Sequence, residues 1–149
     1  PQGSILGPLL FLIFINDFSF HLTNTVTCLQ YADDTTLLIS DQNLNRVYEE
    51  AGRAIQLTEN WCLSNELRLN SSKTVQMLIT LKQNDFDNPC YANFLGVNID
   101  PKLTFKEHVS KVAKTISGNI FLLRRLSENV SPNILRMVYL SVIQTHLYY

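Results

Sequence analysis

The sequence predicts an α+β fold, in which short strands and two amphipathic helices are followed by a helical tail. Residues 25–32 and 35–40 are short apolar runs rich in β-branched side chains, which favours a β-hairpin with residues 33–34 at its tip. Residues 43–66 carry apolar side chains at steps of three and four positions, as an amphipathic helix does. The same spacing returns over residues 109–123 and predicts a second helix of this kind.

The remaining segments of the sequence also predict helices, strands and turns. An apolar run that opens with Pro8 predicts a buried helix of about three turns ending at Asp17. Trp61, at helical spacing, is predicted to lie in the core. Ser131-Pro132 is a good N-cap and first-turn pair for a third helix that runs toward the end of the chain. Between the two long helices the pattern predicts a turn over 70–73, a strand over 74–80, a polar loop over 82–90 and a strand region over 91–99 that breaks at Gly96.

The 149 residues carry a formal net charge of −1, which by itself argues against a nucleic-acid partner. The charge is divided, however, at Asp100-Pro101, where the composition also shifts. Residues 1–100 hold five basic and 11 acidic side chains, a net charge of −6. Residues 101–149 hold seven basic and two acidic side chains, a net charge of +5. An acidic part suited to metal ions is therefore followed by a basic part suited to phosphates.

Composition also excludes several classes of protein. With 46% hydrophobic and 17% charged residues, the chain is too apolar and too weakly charged to be intrinsically disordered. Its longest apolar stretch, residues 5–15, is shorter than the roughly 20 residues that cross a bilayer, so no membrane partner is expected. The three cysteines are odd in number and far apart, which disfavours a disulfide scaffold or zinc site and favours buried free thiols. The three histidines are equally scattered. These six residues are Cys28, Cys62, Cys90, His21, His108 and His146.

Asp33 and Asp34 are the pair that carries the most chemistry. Adjacent carboxylates at a tight turn repel each other, and the usual compensation is a divalent cation that prefers oxygen ligands, Mg²⁺ or Mn²⁺. Two such ions about 3.5–4 Å apart can hold the attacking and leaving oxygens of a phosphoryl transfer. The alternative is an ordinary turn, in which aspartate is favoured because it tolerates left-handed backbone. Without further context the ordinary turn is the better explanation.

Several segments in fixed order supply that context. Tyr31-Ala32-Asp33-Asp34 resembles the catalytic hairpin of reverse transcriptases, and the opening segment PQGSILGPLLF resembles the one that precedes this hairpin in the same enzymes. Three later segments resemble the next motif, the motif after it and the start of the thumb in polymerases of non-LTR, LINE-type retrotransposons: LRLNSSKT (67–74), FLGVNID (94–100) and LTFKEHV (103–109). The likeness covers essentially the whole chain, and it extends to the polymerases of jockey-like elements.

The resemblance implies a fold and an activity. Residues 1–100 are expected to form the C-terminal part of a polymerase palm, an antiparallel sheet with packed helices. Residues 101–149 are expected to begin an α-helical thumb. The implied activity is RNA-directed DNA polymerase, which adds dNTPs to a DNA primer on an RNA template with Mg²⁺ or Mn²⁺. A retrotransposon polymerase is expected inside the cell, in cytoplasm and nucleus.

The resemblance also assigns roles to single residues. Asp33 matches the aspartate that binds the catalytic metal ions, and Asp34 matches a supporting carboxylate. Lys73 matches a lysine proposed to protonate or stabilise the departing pyrophosphate, a role that suits an ammonium group. The residues matched to nucleotide and template contacts are Gln2, Gly3, Tyr31 and Ala32. The residues matched to the primer grip, which positions the primer 3′ end, are Phe94, Leu95 and Gly96.

The same family needs another aspartate on a strand upstream of residues 1–3, and nucleotide-gripping fingers upstream as well. We therefore expect these segments of the same polypeptide as partners, and no polymerase activity from the 149 residues alone. A second possibility is a non-catalytic, polymerase-derived remnant that binds nucleic acid through its basic tail. A third is a related enzyme, such as a reverse transcriptase of the group II intron maturase type or a telomerase. The basic residues that would contact phosphates, or would only face solvent, are Lys106, Lys111, Lys114, Arg124 and Arg125.

Overall fold

The computed structural model describes residues 5–80 and 90–148, and the chain divides into two compact units, Pro1–Thr74 and Val75–Tyr149. Each unit combines helices with a two-stranded antiparallel sheet, so the α+β prediction is confirmed. The first unit contains helix α1 (Leu6–Ile15), a 3₁₀-helix (Phe18–His21), strands β1 (Val26–Tyr31) and β2 (Asp34–Ile39), and helix α2 (Leu44–Ser64). The second contains strands β3 (Ala92–Phe94) and β4 (Val97–Ile99), helices α3 (Lys106–Leu126) and α4 (Pro132–Val138), a π-helical segment (Tyr139–Gln144) and helix α5 (Thr145–Tyr148).

Helix α1 begins at Leu6, two residues before the predicted start at Pro8. The N–H groups of a first helical turn have no acceptor within the helix, so a proline in its third position sacrifices no hydrogen bond. Ile15 is buried at the end of the helix, whereas Ile13 is 66% exposed. The helix is therefore only partly buried, although its sequence is apolar on every side. Among the described residues, neither α1 nor any other helix is long and apolar enough to span a membrane.

The core of the first unit forms where α1, the 3₁₀-helix and α2 meet. Its buried side chains are Ile15, Phe18 and Trp61. The Phe18 ring meets the Trp61 ring edge-on, with the ring centroids 5.1 Å apart, and the Phe14 ring lies 6.0 Å from the same indole. Trp61 is 4% exposed, which confirms it as a core residue. The Trp61 Nε1–H group is buried and has no hydrogen-bond partner among the described residues.

Side chains also fix helix α2 in place. Asn43 precedes the helix in an extended conformation, and its side chain accepts a hydrogen bond from the Asn45 N–H group (3.0 Å), as an N-cap does. Nearly two turns into the helix, Glu50 Oε2 accepts from the Thr25 hydroxyl (2.8 Å), just before β1 begins. Arg53 pairs with the other oxygen of Glu50 at 2.9 Å. The Thr25–Glu50 bond therefore ties the residue before β1 to α2.

The third predicted helix is present and contains a π-helical segment. Pro132 is its first residue, and Ser131 just before it is extended, as predicted, although the Ser131 side chain makes no capping bond. From α3, Asn119 Nδ2 donates to the Val142 carbonyl oxygen (3.2 Å) within the widened segment. Ile143 in the same segment is 4% exposed. The π-helical segment is therefore anchored to α3 by a side-chain hydrogen bond.

The strand predicted over residues 74–80 is wrong. This segment is not a strand, and within the described residues β3 and β4 pair only with each other. The Thr80 N–H group donates to the Pro101 carbonyl oxygen (3.2 Å). A β-type sequence pattern reports side-chain preference, whereas a strand forms only where a neighbouring backbone supplies partners. Apart from Cys90, the polar loop predicted over residues 82–90 lies outside the described residues.

All three cysteines are free thiols. Cys28 and Cys62 pack against the core of the first unit. Burial raises the pKa of both thiols, and the nearby Glu59 carboxylate adds to the rise at Cys62. Cys90 is exposed, so the prediction of buried thiols is wrong there. Its neighbours in sequence are polar, and they gave no apolar segment in which to bury it.

Candidate functional site

The two aspartates lie at the tip of the first hairpin. In the β1–β2 register Tyr31 pairs with Asp34, which leaves Ala32 and Asp33 as a two-residue turn. Asp33 therefore lies in the turn, and Asp34 is the first residue of β2. Both side chains are exposed, and neither forms an ion pair within residues 5–80 and 90–148. The predicted hairpin is confirmed, and it presents two uncompensated carboxylates at one end.

The backbone strain of this turn falls on Ala32 and on neither aspartate. Ala32 has a φ of 53°, in the left-handed region that favours glycine, whereas Asp33 and Asp34 have no positive φ. An L-residue held in that region costs roughly 1–2 kcal/mol. An ordinary turn would explain the aspartates by their tolerance for left-handed backbone, but neither one adopts it. Backbone conformation therefore does not explain why both residues are aspartates, and a chemical role of their carboxylates is the remaining explanation.

The donor set at the turn suits a hard divalent cation. Carboxylate oxygens are the ligands that Mg²⁺ and Mn²⁺ prefer, and Mg²⁺ is usually held by one or two carboxylates together with waters and substrate phosphates. In the described part of the chain, no group of three or more histidine, cysteine or acidic side chains comes together as a metal site. Asp33 and Asp34 therefore fit such an ion as two ligands of a larger set.

Lys73 lies in the turn predicted over residues 70–73. The N–H groups of Lys73 and Thr74 both donate to the Asn70 carbonyl oxygen, at 3.0 Å each. The Lys73 side chain is exposed and belongs to the same unit as the aspartates. No hydrogen bond or ion pair among the described residues joins Lys73 to Asp33 or Asp34.

Of the four residues predicted to contact the nucleotide and template, the structure describes two. Tyr31, 68% exposed, and Ala32 are at the same hairpin tip as the two aspartates. An exposed phenol ring beside a carboxylate pair is free to contact a ligand. Gln2 and Gly3 lie outside the described residues.

The residues assigned to the primer grip form the second hairpin. Phe94 pairs with Val97, which leaves Leu95 and Gly96 as a two-residue turn. Their φ angles are 47° and 92°, and positive φ at both positions is the type I′ turn that hairpins favour. The predicted break at Gly96 is therefore confirmed as a reversal of the chain. Leu95 occupies a position that asparagine or glycine normally takes, so this turn is strained.

Side chains connect the second hairpin to helix α3. Asn93 Oδ1 accepts from the Gly96 N–H group (3.0 Å), and Asn93 Nδ2 donates to Asn98 Oδ1 (3.0 Å). The Asn98 N–H group in turn donates to His108 Nδ1 on α3 (3.4 Å). Sequence reasoning missed this bridge, because it treated His108 as one of three scattered histidines. Spacing along the chain carries no signal for a contact made across a loop.

A carboxylate that sequence reasoning also missed orders the loop before α3. Asp100 Oδ2 accepts from the Phe105 N–H group (2.6 Å) and the Thr104 hydroxyl (3.2 Å), and Oδ1 accepts from the N–H groups of Lys102 and Thr104 (3.1 Å each). Leu103 and Phe105 have φ angles of 53° and 55°, so the carboxylate holds a strained backbone. Asp-Pro followed closely by threonine is a turn signal that could have identified it.

These contacts change the acidity of Asp100. Desolvation acts to raise the pKa of this carboxyl, but the three backbone N–H groups and the threonine hydroxyl outweigh it and hold the pKa below its usual value. A carboxyl whose pKa is lowered by folding stabilises the fold above the pKa it has when unfolded. That contribution disappears as the pH falls through the folded-state pKa.

We therefore expect Asp100→Asn to lower the free energy of unfolding near neutral pH, and the difference from wild type to shrink as the pH falls toward about 3. Protonated aspartic acid and asparagine are both neutral, so the two proteins converge at low pH. Urea unfolding at several pH values, followed by circular dichroism, measures this difference. Glu128→Gln is the matched control at an exposed acid outside the loop. A difference for Asp100→Asn that does not vary with pH would contradict the assignment.

Helix α3 carries five cations along one side, which we call the basic stripe. At 3.6 residues per turn they fall within about 140° of arc and extend over about 28 Å. The half-buried side chains of Val112, Ile116 and Leu123 lie on the opposite side. None of the five forms an ion pair in the part of the chain that the structure describes. The basic stripe consists of Lys106, Lys111, Lys114, Arg124 and Arg125.

The predicted site residues thus fall into two groups. The hairpin-tip residues and Lys73 belong to the first unit, whereas the second hairpin and the basic stripe belong to the second. In the second unit, the Asn98–His108 bond joins the hairpin to the helix that bears the basic stripe.

Comparison with known proteins shows the family to which this chain belongs. A probable RNA-directed DNA polymerase from transposon BS of Drosophila melanogaster is 30% identical to the chain over 154 residues, covering 91% of the chain and 17% of that protein. The RNA-directed DNA polymerase from mobile element jockey of the same fly is 24% identical over 148 residues, covering 89% and 16%. A retrovirus-related Pol polyprotein from the type-1 retrotransposable element R1 2 of Nasonia vitripennis is 27% identical, covering 84% and 36%.

The chain spans less than a fifth of the length of the first two relatives. No solved structure matches it significantly. Residues 1–99 match the family described as reverse transcriptase (RNA-dependent DNA polymerase). This range includes the first hairpin, Lys73 and the second hairpin. The chain therefore belongs to the reverse transcriptase family, a family of nucleotidyltransferases, and its resemblance to the polymerases of jockey-like mobile elements is confirmed.

Proposed function

We propose that this chain is part of an RNA-directed DNA polymerase that adds dNTPs to the 3′ end of a DNA primer on an RNA template. The observation that carries the proposal is the exposed pair Asp33 and Asp34, uncompensated by any cation among the described residues, at a turn strained at Ala32. Strain of this kind persists where the surrounding structure holds it, and it clusters at functional sites. The family match covers the same hairpin.

In this proposal Asp33 and Asp34 hold Mg²⁺ or Mn²⁺. Such ions, when bound, stabilise the negative charge on the attacking and leaving oxygens of an in-line phosphoryl transfer. Asp33 is the primary ligand, the role that its resemblance to the first aspartate of the catalytic hairpin implies, and it lies in the turn itself. Asp34 supports it from the first position of β2.

The chain's other residues bind and orient the substrates. Tyr31 and Ala32 contact the nucleotide and the primer end from the hairpin tip, and Gln2 and Gly3 line the template and the incoming nucleotide. Lys73 supplies a cation to the departing pyrophosphate, where negative charge accumulates. The second hairpin grips the primer. In this assignment residues 1–100 belong to the palm and residues 101–149 to the thumb.

Primer extension by the longer polypeptide that contains this chain tests the proposal. We expect incorporation of labelled dNTPs that requires an RNA template, an annealed DNA primer and Mg²⁺ or Mn²⁺. The 149-residue chain assayed alone is expected to give no product, because it supplies too few metal ligands. If the longer polypeptide binds the primer–template but gives no product with either ion, the polymerase assignment is wrong.

A second candidate function is nucleic-acid binding without catalysis, and the basic stripe is the observation that favours it. Five cations that form no ion pair among the described residues, along about 28 Å of helix, suit a run of backbone phosphates. Binding of this kind would be supplied by the second unit whether or not the first is catalytic.

The basic stripe makes a measurable prediction about salt. If all five cations neutralise phosphates of a duplex, the affinity falls roughly 500-fold between 50 and 200 mM monovalent salt. Replacing the five residues with glutamine is expected to flatten this dependence, whereas Arg46→Gln, at an exposed position of α2, is expected to leave it unchanged. Filter binding across a salt series measures both. Equal slopes for the glutamine variant and wild type would show that the basic stripe faces only solvent.

A further inference from the structure

The turn of the second hairpin has a conformation that its first residue does not favour. Leu95 and Gly96 both have positive φ, 47° and 92°, and a two-residue turn of this kind normally begins with asparagine, aspartate or glycine. Leucine has no polar side-chain atom with which to stabilise a left-handed backbone. The strands on either side, β3 and β4, have three residues each, and a two-stranded hairpin contributes little stability of its own. The closed turn therefore depends on a further stabilising contact.

The side chain of Asn93 makes such a contact. Asn93 lies on β3, and its Oδ1 accepts a hydrogen bond from the Gly96 N–H group (3.0 Å). Its Nδ2 donates to Oδ1 of Asn98, which is its register partner on β4 (3.0 Å). One side chain thus bonds both to the backbone of the turn and to the opposite strand. A side chain without an amide group does not supply this acceptor and this donor together.

Asn93 acts on the turn and not on a core. Its side chain is exposed, so its replacement by a smaller residue leaves no cavity. The Gly96 N–H group is already bonded to Asn93, so what Asn93 provides to a ligand is the shape of the turn. The hydrogen bonds of Asn93 therefore favour one backbone conformation of residues 95–96.

We propose that Asn93 is a positioning residue for the primer, which keeps the Leu95–Gly96 turn in the shape in which the second hairpin holds the primer 3′ end. This inference rests on the proposed function, which assigns the primer grip to residues 94–96. When only a fraction of a protein is in its binding-competent form, the apparent affinity falls by that fraction. A loosened turn therefore weakens primer binding. Saturating primer shifts the population back to the closed turn, so the rate of the bound complex stays the same.

Steady-state primer extension by the longer polypeptide tests the proposal, because it separates KM from kcat. Asn93→Ala is expected to raise the KM for primer–template about three- to tenfold, the range expected for the loss of neutral hydrogen bonds, and to leave kcat within about twofold of wild type. Asn129→Ala, at an exposed asparagine of the same unit outside the hairpin, is the matched control and is expected to leave both unchanged. An unchanged KM in Asn93→Ala, or a fall in kcat alone, would overturn the proposal.

Hydrogen exchange of the Gly96 amide reports on the turn directly, without nucleic acid. In NMR spectra of the 149-residue chain, Asn93→Ala is expected to speed exchange at Gly96 about three- to tenfold. Gly118, within α3, is the internal control, and its unchanged exchange rate would exclude unfolding of the whole unit as the cause. Equal exchange at Gly96 in Asn93→Ala and wild type would show that Asn93 does not hold the turn, and the proposal would be wrong.

Asn93→Asp is the conservative variant for the exchange experiment. Its carboxylate keeps an oxygen that accepts from the Gly96 N–H group, and the Asn98 amide can turn to donate to the other oxygen. Slow exchange at Gly96 is therefore expected to be retained in this variant. Exchange as fast as in Asn93→Ala would contradict the role given to the Oδ1 acceptor.

The two measurements distinguish the turn from the polymerase. The exchange experiment uses no metal ion, dNTP or nucleic acid, so its outcome does not depend on the acidic hairpin. An active polypeptide whose KM does not respond to Asn93→Ala would refute the positioning role and leave the polymerase proposal standing. A wild-type polypeptide that binds primer–template and makes no product would refute the polymerase and the positioning role with it, while exchange at Gly96 would still show whether Asn93 holds the turn.

Discussion

Asp33→Asn in the full-length polypeptide is expected to abolish RNA-templated primer extension. The substitution keeps the size of the side chain and its place in the turn, but it removes the negative charge that attracts a divalent ion. Removing a single group that stabilises transition-state charge costs about 10²- to 10³-fold in rate, and loss of a primary metal ligand is expected to cost at least that much. The readout is the rate of labelled dNTP incorporation at saturating primer–template.

Asp41→Asn is the matched control for this experiment. Asp41 is an exposed aspartate just after β2, and its Oδ1 accepts from the Asn43 N–H group (2.7 Å), a bond that an asparagine can still make. We expect the control to retain activity. Synthesis by Asp33→Asn above a trace would show that Asp33 is not a catalytic ligand.

Trp61→Ala is expected to produce the largest loss of stability in the first unit, about 3–5 kcal/mol of unfolding free energy. The indole is 4% exposed and packs edge-on against Phe18, in a core with few other buried side chains. Its removal leaves a cavity that the few neighbours cannot refill. A loss of this size is comparable to the whole stability of a small domain. Urea unfolding followed by circular dichroism measures it, since the chain's single tryptophan is the residue replaced.

Trp61→Phe separates packing from hydrogen bonding. The buried Nε1–H group has no partner among the described residues, so phenylalanine loses contact area but no hydrogen bond. We expect a loss well below that of the alanine variant. Equal midpoints for Trp61→Ala and wild type would mean that this aromatic cluster does not stabilise the unit.

The parts of the fold that sequence predicted are those in which local preference and tertiary contacts agree. Helix α2 has both an apolar side and a capping asparagine, and the first hairpin has β-branched strands around a short polar tip. Residues 74–80 have side chains that favour a β-strand but have no partner strand among the described residues, so the strand predicted there is wrong. A β-type sequence pattern alone does not show whether a partner strand lies beside the segment.

The residues of the candidate site likewise divide into those that the sequence predicted and those that it did not. Asp33 and Asp34 were predicted because their motif is contiguous in sequence, and the structure places them together at one turn. Asp100 and His108 were not predicted, because each acts through bonds that exist only once the loop and the second hairpin have folded. The left-handed backbone of Ala32 and Leu95 was equally hidden, since neither residue type favours it.

The bonds that run from Gly96 through Asn93 and Asn98 to His108 have a mechanical consequence. They connect the tip of the second hairpin to the start of α3, so that we expect the two to move together. A rotation of α3 about its own axis is expected to move the hairpin tip with it, because the Asp100 carboxylate also orders the loop between them.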